Sequence, residues 1–64
     1  MTDESADARV RALVHDLRTP LALVLGFSEL LETRGSELSD EQRADFLARI
    51  AEAAKELGRL LDAV

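Results

Sequence analysis

Apolar residues recur through most of this chain with a period of seven, and no other feature limits its fold so tightly. In a register written abcdefg, Val10, Leu17, Val24 and Leu31 fall at a, Leu13, Pro20 and Phe27 at d, and Val14 and Leu21 at e. After a break at Arg34-Gly35-Ser36 the pattern resumes. Ile50, Leu57 and Val64 then hold a, Phe46, Ala53 and Leu60 hold d, and Leu47, Ala54 and Leu61 hold e. A stripe at a, d and e is the wide buried face of a bundle helix. The spacing predicts an all-α chain of two helices, about 5–33 and about 39–63, joined by a loop over 34–38.

Local signals agree with those bounds. Thr2, Asp3 or Ser5 can cap the first helix. Gly35 suits the left-handed residue that follows many helix ends. Ser39-Asp40-Glu41-Gln42 reads as a capping box, in which the Ser hydroxyl takes the backbone N–H three residues on and Gln42 reaches back. Leu38 just before it is a candidate for a hydrophobic staple, and Asp45 with Arg49 makes an i,i+4 pair. Two helices alone cannot cover stripes that include e as well as a and d. The expected architecture is therefore an antiparallel helical hairpin that homodimerises into a four-helix bundle.

Size and charge point the same way. Sixty-four residues form one small domain, and a chain this short buries only about 60% of its unfolded surface, so it needs support. The absence of cysteine removes disulfides and thiolate metal sites, and a single histidine leaves little for zinc, so no metal is expected. Thirteen acidic residues against eight basic ones give a net charge of −5, which argues against nucleic acid and against direct contact with an anionic membrane. The longest apolar run, Leu21 to Leu25, is far short of a spanning helix, and no signal peptide is read at the start.

The chemistry is concentrated in His15-Asp16-Leu17-Arg18-Thr19-Pro20-Leu21. His15 falls at f, farthest from the apolar seam, where a lone histidine is ordinarily an idle surface residue. Its neighbours change that reading. Asp16 can accept a hydrogen bond from one ring nitrogen, fixing the tautomer and sharpening the other nitrogen as a nucleophile. Thr19, at i+4 from His15, shares its face and can bond a phosphoryl oxygen or a water, although a threonine there can equally bond its own helix. Pro20 is the costliest local choice, about 3 kcal/mol in a helix interior. Because the heptad continues in phase past it, it marks a bend rather than a helix end. The carbonyl it leaves without a helical donor belongs to Asp16. Broken local rules tend to gather at functional sites.

As a block, HDLRTPL resembles the H-box of sensor histidine kinases, matching all seven positions, and the following ALVLGFSELLE is similar to that family's continuation. The resemblance, to the dimerisation and histidine phosphotransfer domain, extends over nearly the whole chain. It implies that His15 is the phosphoacceptor, attacking the γ-phosphate of ATP, and that Asp16 is its acid/base partner. Thr19 would position the water that hydrolyses a phosphorylated response regulator, Arg18 would add charge near the phosphoryl group, and Pro20 would supply the bend. Many members carry Glu where this chain has Asp16, a methylene longer. The family's ATP-binding domain has no counterpart here: Gly26, Gly35 and Gly58 are scattered and form no phosphate-cradling loop. No cofactor is expected in this chain itself, and ATP and magnesium would come with a separate catalytic domain. The sequence is expected to be a piece of a longer kinase rather than a stand-alone protein.

The resemblance also implies partners: a second copy, the ATP-binding domain of a histidine kinase, and the receiver domain of a response regulator. The receiver would dock below His15, where the first helix carries Ala22, Leu25, Gly26 and Glu29. Ala22 and Gly26 would admit a partner helix closely, and Leu25, at b, would offer an apolar contact, although alanine and single exposed leucines are ordinary on helices. The expected location is cytoplasmic, with a parent kinase that can be membrane-anchored elsewhere. The competing reading is an inactive structural dimerisation or adaptor bundle, which needs only the a/d/e seam and no chemistry at His15. A metal-binding bundle is set aside, because Arg11 and Thr19 occupy the i,i±4 places around His15.

Overall fold

A computed structural model describes residues 4–63. They form α1 (Glu4–Arg34), a 3-10 turn (Gly35–Glu37) and α2 (Asp40–Asp62), with no strand among the described residues. The two helices run antiparallel as a hairpin measuring 54 × 18 × 11 Å, so the molecule is a single layer one helix thick. The suggested caps Thr2 and Asp3, and Val64 at the last a position, lie outside the described residues. Ser5 lies inside α1 and does not precede it.

The a and d positions zip the hairpin. Leu13, Leu17, Val24, Phe27 and Leu31 of α1 are half-buried against Phe46, Ile50, Leu57 and Leu60 of α2. The register is read from residues that share a site: Phe27 stacks on Phe46 at 5.0 Å, Pro20 and Ala53 border one groove, and Leu13 and Leu60 border another. Pro20 and Ala53 are the two buried residues among those described, and they lie level across the seam. Ala53, reduced to a methyl, leaves room for the pyrrolidine ring, so α1 carries Pro20 within one continuous helix.

The e positions have no cover. Val14 is 48% exposed, Leu21 46%, Leu47 54% and Leu61 56%. Antiparallel pairing brings the e flank of one helix beside the e flank of the other, so these side chains form one open apolar face along the hairpin.

The connection departs from the expected αL ending. No glycine among the described residues has positive φ. Arg34, at φ −127° and ψ 14°, instead turns the chain into the 3-10 segment, and the Leu38 N–H donates to the Gly35 carbonyl at 3.3 Å. A tight i→i+3 turn satisfies a helix-end carbonyl without a left-handed residue. At the start of α2 the Ser39 hydroxyl accepts from the Gln42 N–H at 3.0 Å, and the Gln42 side chain accepts from the Ser39 N–H at 2.9 Å. No apolar staple forms at Leu38, because the position it would meet is Arg43, whose guanidinium donates to the Leu38 carbonyl at 3.1 Å.

Candidate functional site

The seam that orients α1 also dictates which side chains face outward. With a and d turned to α2, position f points away from the hairpin, and the His15 side chain there is 83% exposed. Nothing in the hairpin shields either ring nitrogen from an incoming reagent. Its Nδ1 lies 3.4 Å from Asp16 Oδ1, a long contact between neighbours on one helix. When Nδ1 carries the proton, it donates to the carboxylate and leaves the Nε2 lone pair free to attack.

Asp16 falls at g and borders a shallow cleft with Arg9, Leu13 and Leu60. The carboxylate therefore stands between the exposed imidazole and the flank where the two helices meet. Arg18, at b, and Thr19, at c, stand on either side of the His15 face, one turn along. Pro20 is turned inward to the seam and touches no part of the outer face.

Thr19 opens onto a groove of about 520 Å³ between the helices. Its floor is apolar, with Pro20, Leu23, Phe27 and Ala53, and its α2 wall is charged, with Arg49, Glu52 and Arg59 among its residues. Arg49 is held at the groove's lower end: it donates to Asp45 at 3.0 Å and its guanidinium lies 5.8 Å from the centre of the Phe27 ring. Arg59, at the Thr19 end, is paired with Glu56 at 2.8 Å.

The four residues singled out below His15 divide between two flanks. Ala22 and Gly26 border a notch with Leu23, Phe27 and Leu30 that continues the groove down α1. Leu25 is 61% exposed on the opposite flank, and Glu29 is exposed at f on the His15 face. The sequence reading missed Leu23 and the whole α2 wall. The signal for Leu23 was present, an apolar residue at g beside the seam. The α2 residues become visible only once the register between the helices is fixed.

Among the described residues no group of three or more His, Cys, Asp or Glu could hold a metal ion, and no helix is long and apolar enough to cross a membrane. The model of the family described as the His Kinase A (phospho-acceptor) domain matches residues 7–64. No curated protein and no solved structure gives a match.

Proposed function

Since this chain belongs to the His Kinase A (phospho-acceptor) domain family, we propose that it is a phosphotransfer module in which His15 is the phosphoacceptor. The observation that carries the assignment to His15 is its presentation: a ring 83% exposed on the outer face of α1, with Nδ1 at 3.4 Å from Asp16. Nε2 attacks the γ-phosphorus of ATP, the new N–P bond forms and the bond to the ADP oxygen breaks. Asp16 holds the Nδ1 proton and offsets the positive charge that develops on the imidazole. ATP and magnesium are supplied by a separate ATP-binding domain, which sets the reaction in the cytoplasm. The phosphoryl group then passes to an aspartate of a receiver domain.

The groove that starts at Thr19 and runs past Ala22 and Gly26 is the docking surface on this reading. Its apolar floor suits a partner helix, and Thr19, which lines it, would orient the water that attacks the partner's acyl phosphate. Arg18 contributes positive charge one turn from His15. The open face of Val14, Leu21, Leu47 and Leu61 is covered by a second copy, closing a four-helix bundle.

The test supplies this chain with ATP, magnesium and a separately purified histidine-kinase ATP-binding domain, and then adds a receiver domain. Expected is phosphate on the parent that is stable in base and labile in acid, absent from His15→Ala, and lost to the receiver on its addition. A folded chain that takes no phosphate here or from a small phosphoramidate donor supports the adaptor reading instead.

A further inference from the structure

The ion pairs of α2, among them Asp45–Arg49, Glu52–Lys55 and Glu56–Arg59, are internal to that helix. Exposed pairs of this kind ordinarily add little beyond local helix support. Arg49 differs from the others in what else holds it. Its Nε donates to Asp45 Oδ2 at 3.0 Å, and its guanidinium also lies over the Phe27 ring of α1, 5.8 Å from the centre. Phe27 is in turn packed on Phe46 at 5.0 Å. Arg49 is thus anchored from both helices, and a guanidinium laid over an aromatic face keeps few orientations.

The outer edge of that guanidinium is open. Arg59 gives both Nε and Nη2 to Glu56, at 3.1 and 2.8 Å, and Arg43 gives Nη2 to the Leu38 carbonyl at 3.1 Å. Arg49 is held by Nε alone, and neither of its Nη nitrogens has a hydrogen-bond partner among the described residues. The two outward N–H groups of Nη1 and Nη2 lie parallel in one plane, the fork that takes both oxygens of a carboxylate. Leu23 and Phe27 on the floor beside it strengthen such a bond once a partner has displaced the water. Farther up the wall Arg59 is already engaged by Glu56, and Glu52 adds another carboxylate. The lower end is therefore where the groove accepts a negative group.

On the reading that a receiver domain docks in this groove, we infer that Arg49 is a carboxylate fork and that the receiver meets it with an Asp or Glu side chain. Phe27, under the guanidinium, lies twelve residues along α1 from His15, so the fork stands about 18 Å from the level of the phosphoacceptor. The acid it takes is therefore a different residue from the aspartate that receives the phosphoryl group. A charged contact this far from the chemistry selects the partner and fixes its register without touching the reacting atoms. Arg49 is a specificity-determining residue in this sense. Asp45 has two opposed effects, since it holds Nε in place and repels the incoming carboxylate.

The test loads His15 from phosphoramidate and follows transfer to purified receiver domains, using from a panel the one that drains the parent fastest, over a range of receiver concentrations. The parent is compared with Arg49→Glu, Arg49→Lys and Asp45→Asn. Lysine keeps the charge beside Asp45 but has no planar fork, so it separates the geometry from charge and folding. Expected is a half-saturating receiver concentration at least about tenfold higher in Arg49→Glu, with a smaller rise in Arg49→Lys. Asp45→Asn keeps an oxygen on Nε and removes the opposing charge, so its value should fall. One acidic residue of the receiver, changed to Lys, should restore transfer from Arg49→Glu. A value unchanged in Arg49→Glu, or a rise that no acid-to-Lys change in the receiver reverses, overturns the fork and leaves the docking reading standing. A parent that takes phosphate but passes it to no receiver overturns both together.

Discussion

On the proposed reading, His15 would draw its chemistry from a carboxylate one residue away and from the exposure of its ring. If Asp16 holds the Nδ1 proton, Asp16→Asn leaves the helix intact, since both side chains are exposed. It should slow phosphate uptake from phosphoramidate by roughly 10²-fold, at the low end of what general acid–base partners contribute. The initial rate measures this directly, and an unchanged rate would show that the 3.4 Å contact is incidental. Asp16→Glu should recover most of the rate, because the longer arm keeps the charge. These residues were legible in the sequence because they are contiguous. Once the segment is helical, spacing alone puts His15 at f, Thr19 one turn on and Pro20 at the seam. Arg49 and Arg59 were not legible in that way, because a groove wall from α2 depends on how the two helices slide against each other.

Three substitutions, two within α1 and one at the cap of α2, have signs that follow from local physics. Pro20→Ala restores a backbone hydrogen bond and relieves a clash worth about 3 kcal/mol. It also removes two buried carbons at about 0.8 kcal/mol each, because Pro20 is buried at the seam beside Ala53. The first effect is larger, so the variant should be more stable by about 1 kcal/mol in urea unfolding. A destabilised variant would mean that the ring's packing outweighs the bend. Ser39→Ala loses the bond from the Gln42 N–H and half of the reciprocal cap, and should cost about 1 kcal/mol in the same assay. Gly26→Ala meets nothing within 4 Å and should gain up to about 1 kcal/mol, while narrowing the notch beside Leu30. The capping box was legible because all its atoms come from four successive residues. The end of α1 was not: glycine favours a left-handed ending but does not compel one, and Arg34 with the 3-10 turn closes the chain instead.

As a whole the molecule is a layer 11 Å thick with two buried residues among those described, too little core to hold 64 residues by itself. The apolar e face should therefore be closed by association, and helix content should fall on dilution as the dimer separates. Leu47→Glu, which puts a charge on that face far from His15, should dissociate the dimer at concentrations where the parent is intact; a dimer that survives it would place the contact elsewhere. The hairpin was legible from the heptad and its break, because period and chain length leave few other ways to bury a, d and e. The chemistry it presents is tested most directly by phosphorus NMR of the chain treated with phosphoramidate, beside His15→Ala. The parent should show one phosphoimidazole resonance, assigned to Nε2, that persists in base and disappears in acid, and the variant none. A parent that is folded and dimeric but shows no such resonance, or a variant that shows the same one, would contradict the assignment of His15 as the phosphoacceptor.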